Sequence, residues 1–103
     1  MLEVNDTNFK EEITKRNLVL VDFYATWCGP CAMQAKVLEK MQNSRGIDFD
    51  IVKVNVDEAP RLATEYGIDS IPTLMIFKDN KLQKKIIGYT EEDELLNIIE
   101  EYK

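Results

Sequence analysis

The chain has 103 residues, 45% of them hydrophobic, and thirteen basic against nineteen acidic side chains give it a formal charge of −6. Such a length supports one small domain with its own core, and the acidic balance argues against nucleic acid or an anionic membrane as partners. Histidine is absent, which removes imidazole acid–base chemistry and imidazole metal ligation.

Met1 to Val4 predicts a short edge strand. Asn8 and Glu11 have the spacing of a capping box, and Phe9 and Ile13 share one face of a first helix ending near Lys15. Leu18 to Tyr24 is apolar on both faces, the pattern of a central strand in a covered sheet. Asp22 interrupts that run. It either points to solvent at the strand's end or serves a site, and the cost of placing a carboxylate there favours the site.

Next comes Ala25-Thr26-Trp27-Cys28-Gly29-Pro30-Cys31, with the chain's only two cysteines and its only tryptophan. The spacing then predicts a helix from about Pro30 to Met41, with Met33, Val37, Leu38 and Met41 as its apolar stripe. Turn residues from Asn43 to Gly46 close it. Phe49 to Val56 predicts the next strand, Val52, Val54 and Val56 on one face and Ile51, Lys53 and Asn55 on the other. Lys53 faces either solvent, the commoner case, or the sheet's covered side. Asp57 and Pro60 open a short helix with Leu62, Ala63 and Tyr66 apolar and Gly67 as its stop. Thr73 to Lys78 and Leu82 to Ile87 form a hairpin across Asp79-Asn80, residue types that tolerate positive φ. Thr90 and Asp93 suggest a second capping box, opening a last helix with Leu95, Leu96, Ile98 and Ile99 inward. This order implies parallel strands joined by helical crossovers and a closing antiparallel pair. The expected class is α/β, a mixed sheet with helices on both faces.

Two cysteines three positions apart at a helix start lie about one turn from each other, close enough to pair. A thiolate is the species that attacks disulfides. Cys28 stands just before the helix, where unpaired N–H groups and the dipole favour an anion. Cys31 lies inside the first turn and is more shielded. Cys28 is therefore expected to attack a substrate disulfide and Cys31 to resolve the mixed disulfide. Gly29 permits close approach and Pro30 starts the helix without an unpaired donor. Cys31 needs a base, and without histidine Asp22 is the candidate. A zinc site lacks a second pair of ligands, and a disulfide closing so short a loop stabilises little. Redox work is the reading that remains.

The run VDFYATWCGPC resembles the active-site segment of the thioredoxin family, and the resemblance covers nearly the whole chain. Lys53-Val54-Asn55-Val56-Asp57, Tyr66-Gly67-Ile68, Ile71-Pro72-Thr73-Leu74, Phe77-Lys78 and Gly88 fall in the family's order and spacing. It implies a thioredoxin-like fold, a central mixed five-stranded sheet flanked by four helices, as a single domain over residues 1–103. It also implies a protein-disulfide reductase without cofactor or metal, with Cys28 and Cys31 as the attacking and resolving thiols. Asp22 corresponds to the family's buried carboxylate, Lys53 to the lysine beside it, and Pro72 to a cis-proline facing the disulfide. Trp27, Gly29, Pro30, Ile71, Ile87 and Gly88 correspond to the flat surface where an extended substrate peptide docks, Ile71 offering backbone for a short β-augmentation. The Gly-Pro between the cysteines is like that of the reducing members.

The implied partners are disulfide-bearing proteins and a flavoprotein thioredoxin reductase as electron donor, for a monomer in the cytoplasm. The first residues lack the basic head and apolar core of a signal peptide, and no apolar run reaches the length of a membrane span. Lys36, Ala32 and Asn80 depart from the family's usual proline, basic residue and hairpin glycine. A binding module using the same surface without turnover is the alternative function, one that would not need both cysteines.

Overall fold

The computed structural model describes residues 1–44 and 46–103. In chain order these form β1 (Leu2–Val4), α1 (Phe9–Thr14), β2 (Leu18–Tyr24), α2 (Gly29–Asn43), β3 (Asp50–Asn55), α3 (Pro60–Glu65), β4 (Thr73–Lys78), β5 (Lys81–Ile87) and α4 (Glu92–Glu100). The sheet runs β1-β3-β2-β4-β5. β1, β3 and β2 are mutually parallel, while β4 is antiparallel to both β2 and β5.

Alternation along β2 divides the core. Val19, Val21 and Phe23 pack with Phe9 and Ile13 of α1 and Leu62 of α3. Leu18 and Leu20 pack on the other face with Leu38 and Met41 of α2 and Leu95 and Ile99 of α4. Each such large apolar side chain contributes about 1.5–3 kcal/mol by leaving water, so both faces of β2 are held. Asp22 belongs by parity to the second face, under α2 and α4. The hairpin turn places Asp79 at φ 50° and Asn80 at φ 67°, both left-handed, as a two-residue turn joining twisted strands requires.

Local capping departs from the sequence expectations. Asn8 precedes α1, but its side chain accepts the Asn5 N–H at 2.8 Å rather than capping Glu11. The Asn5 side chain competes for the same turn by accepting from the Thr7 N–H and hydroxyl, which is what Asn does before a helix. Thr90 does not cap α4 either. Its hydroxyl turns back to the Gly88 carbonyl and Glu91 takes the N-cap position.

On α2 the buried stripe is Cys31, Gln34, Leu38 and Met41, while Met33 is 56% exposed. Gln34 is tolerated inside because its amide bonds the Thr90 carbonyl at 3.0 Å and accepts the Thr90 N–H at 2.8 Å. β3 is shorter at both ends than its apolar pattern. Phe49 still packs in the core and the Val56 N–H still reaches the Tyr24 carbonyl at 2.9 Å, so burial outruns the ladder. Asn43 ends α2 and Ser44 follows it, whereas Arg45 of the expected turn lies outside the described residues.

The N-terminus of α3 is capped from a distance. Asp6 accepts the Arg61 N–H at 3.1 Å and the Leu62 N–H at 2.9 Å, in place of the role expected of Asp57. Removing an N-cap acceptor costs about 1 kcal/mol. Asp6→Ala should therefore lower the thermal midpoint by about 4–8 °C in a chain of this size, read by circular dichroism.

Candidate active site

The topology gathers one edge of the sheet. β2 and β3 both end there because they are parallel, β4 begins there because it is antiparallel to β2, and β5 ends there opposite β4. Four connections therefore meet: the cysteine loop after β2, Asn55 to Asp57 after β3, Ile71-Pro72 before β4, and Ile87-Gly88 at the end of β5.

Cys28 is the N-cap residue of α2, in extended backbone at φ −97° and ψ 113°. Gly29 and Pro30 follow as the first two helical residues, so proline costs no intrahelical bond there. The Cys31 N–H donates to Cys28 Sγ at 3.2 Å. Sulfur thus occupies the place that a serine or aspartate oxygen takes at other helix starts. The two cysteines are joined as a disulfide, their Cα atoms 5.2 Å apart. Cys28 is 8% exposed and Cys31 only 2%, so the first sulfur is the more accessible.

The Ile71–Pro72 peptide bond is cis, and the Ile71 carbonyl lies 3.8 Å from Cys28 Sγ. The Pro72 carbonyl accepts the Gly88 N–H at 2.9 Å, fastening the start of β4 to the end of β5. Gly88 has φ +91°, a conformation that side chains rarely adopt. Trp27 and Ile87 are 71% and 66% exposed. Both are large apolar groups left open on the side of the molecule that carries the disulfide. Gly29 and Pro30 are exposed at the start of α2, while Ile71 is half-buried and Pro72 buried.

Asp22 is fully buried, and neither carboxylate oxygen has a hydrogen-bond partner among the described residues. Burial pushes its carboxyl up to about 7, against the opposing pull of the Lys53 charge and with a smaller push from Glu3. Lys53 is the direct cross-strand neighbour of Asp22. It is half-buried on the covered side, its ammonium 4.2 Å from the centroid of the Tyr24 ring. Lys53 also joins Tyr24, Ala25, Cys28, Cys31 and Ala32 in lining a cavity of about 220 Å³.

Three supporting residues escaped the sequence reading of the site. Asp57 accepts the Trp27 indole N–H at 2.8 Å, and Asn55 in turn accepts the Asp57 N–H at 3.0 Å, so the exposed indole is tethered. Gln34 fixes the backbone just after Gly88 through Thr90. Its signal was present: it stands one turn after Cys31 on the same helical face.

Residues 1–101 match the thioredoxin family. The chain belongs to the thioredoxin family. A thioredoxin of Listeria monocytogenes is 49% identical over 100 residues, covering 97% of this chain and 96% of its own. Thioredoxin 1 of Synechococcus elongatus is 43% identical over 100 residues, covering 96% of this chain and 94% of its own. The oxidised mitochondrial thioredoxin 3 of Saccharomyces cerevisiae superposes with a TM-score of 0.86 at 35% identity, covering 98% of this chain and 94% of that one. A family member with this cysteine pair is a thiol-disulfide oxidoreductase of the disulfide-reductase kind, acting on disulfide substrates. Among the described residues no helix is long and apolar enough to cross a membrane, and no cluster of three or more acidic or cysteine side chains is arranged for a metal ion.

The raised Asp22 pKa couples stability to pH. Between about pH 4 and 7 the folded chain holds a proton that the unfolded chain releases. Stability therefore falls as pH rises through that window and stays lower above it. Removing the charge in Asp22→Asn should stabilise the oxidised protein at pH 8, by as much as about 4 kcal/mol for a displacement of this size. The gain should vanish below pH 4, as read by urea denaturation at each pH.

Proposed function

We propose that the protein is a general protein-disulfide reductase in which Cys28 attacks and Cys31 resolves. The observation that carries the assignment is the bond from the Cys31 N–H to Cys28 Sγ at the N-cap of α2. In the reduced protein that bond and the helix dipole both favour a Cys28 thiolate. The thiolate attacks one sulfur of a substrate disulfide, forming a mixed disulfide and releasing the other substrate sulfur as thiolate, which takes a proton from solvent. Cys31 then gives its proton to Asp22. Its thiolate attacks Cys28 Sγ, closing the Cys28–Cys31 disulfide and expelling the second substrate thiolate.

Asp22 suits the acceptor's part. It lies on the face of β2 that α2 covers, and a carboxyl titrating near 7 is matched to neutral pH. Lys53 supplies the nearby charge that keeps this pKa from rising further. Trp27, Gly29, Pro30, Ile71, Pro72, Ile87 and Gly88 form the docking surface, with an extended substrate segment laid along Ile71. Two electrons and two protons regenerate the dithiol, supplied by a flavoprotein thioredoxin reductase. The protein works as a monomer in the cytoplasm and forms one domain over residues 1–103.

The insulin-reduction assay with dithiothreitol tests this reading. Cys28→Ser should abolish turnover, and Cys31→Ser should accumulate a covalent adduct through Cys28 that is visible by mass spectrometry. Asp22→Ala should keep the attack step but slow single-turnover resolution about a hundredfold at pH 7, the low end of a general base's contribution. Unchanged insulin turnover in Cys28→Ser would rule the scheme out.

A further inference from the structure

Glu3, Lys53 and Asp22 form one row across three neighbouring strands. Glu3 of β1 is in register with Lys53 of β3, and Lys53 with Asp22 of β2. Val4 on β1, Val52 and Val54 on β3, and Val21 and Phe23 on β2 all pack toward α1 and α3. The three charged residues alternate with them and therefore share the opposite face. A lysine between two carboxylates has two obvious partners, yet its ammonium makes no ion pair with either among the described residues. It stands over the Tyr24 ring instead, 4.2 Å from the centroid.

The ring itself is fixed. The Tyr24 hydroxyl reaches both Glu3 oxygens, each at 2.8 Å. Burial together with that bond pushes the phenol's pKa well up, so it remains a neutral donor. Donation to an anion also enriches the ring in electron density, which strengthens its hold on a cation.

We propose that Tyr24, clamped by Glu3, is a positioning residue for the redox cycle: its ring holds the Lys53 ammonium beside Asp22 but off it, leaving the Asp22 carboxylate free to take the proton of Cys31. The proposal rests on the reading of Asp22 as that acceptor. A contact ion pair would lock Asp22 in its charged form and make it a poor base. Without any nearby cation, burial alone would keep it protonated at neutral pH. The ring sets a position between these extremes, and the unpartnered state of both Asp22 oxygens agrees with it. The groups facing the row are Glu3 from β1, Lys53 from β3, Tyr24 from β2, the cysteines from α2, and Glu58, whose charge reaches Tyr24 from the connection after β3.

The test follows the Asp22 carboxyl carbon by nuclear magnetic resonance across pH, with single-turnover resolution measured on the same samples. In Tyr24→Leu, Lys53 is released onto Asp22. The Asp22 midpoint should drop by about one pH unit, a tenfold change in proton affinity, and resolution at pH 7 should slow. Adding Lys53→Met to Tyr24→Leu should reverse the shift and carry the midpoint above that of the unaltered protein. Tyr24→Phe, which keeps the ring's volume and loses only the clamp, should move the midpoint the same way by a smaller amount. An unmoved midpoint in both single variants overturns the proposal. So does a drop that survives Lys53→Met. Failure of the underlying reading is distinguishable, because it shows as midpoints that move while resolution stays indifferent to Asp22→Ala.

Discussion

A sulfur atom caps a helix here. The bond from the Cys31 N–H to Cys28 Sγ asks that α2 begin immediately after Cys28. That in turn asks that β2 deliver the chain to the sheet edge at Tyr24 and that the loop turn back within a few residues. The Cys28 N–H closing on the Ala25 carbonyl makes the turn, and proline inside the first helical turn keeps the start fixed. The cap also separates the two sulfurs chemically. Cys28 receives a donor and the end of the dipole, while Cys31 sits inside the helix face and is nearly sealed.

The second constraint works against stability. β2 carries an unpartnered carboxylate on a fully buried face, at a cost that an apolar residue there would not incur. The fold tolerates it because Leu18, Leu20 and the α1-facing residues of the same strand are packed on both sides. Around Asp22 the charges are graded rather than paired, with Lys53 on the Tyr24 ring and Glu3 bonded to the phenol. Strain of this electrostatic kind is what the proposed role of Asp22 as proton acceptor requires.

The fold was legible because its signals are periodic. Seven consecutive residues of β2 read as a strand covered on both faces, and the Asp79-Asn80 turn announced the hairpin. The groups of the candidate site stood out as well, since the cysteine pair, the lone carboxylate in an apolar strand and the prolines are each unusual where they stand. Capping was less so. Asn8 and Thr90 had the right spacing for capping boxes, but hydroxyls and amides have several backbone partners within reach, and local geometry chose others. Asp6 caps a helix 55 residues away, which no local pattern encodes. Gln34 was hidden behind Met33 because apolar periodicity ranks methionine above glutamine, whereas the buried Thr90 backbone needed an amide. Asp57 acts by a contact between two loops and Tyr24 by contacts between strands, and both appear only once the sheet's register is known.

The difference between the two sulfurs is the central claim, and alkylation of the reduced protein measures it directly. Iodoacetamide added at substoichiometric amounts across pH 5 to 9, with the modified residue identified by peptide mass, reports which thiolate exists at each pH. The account predicts that Cys28 is modified first at every pH, with Cys31 lagging by roughly tenfold, as a difference of about one pKa unit between the two thiols gives. Equal labelling of both cysteines, or labelling of Cys31 first, would contradict it.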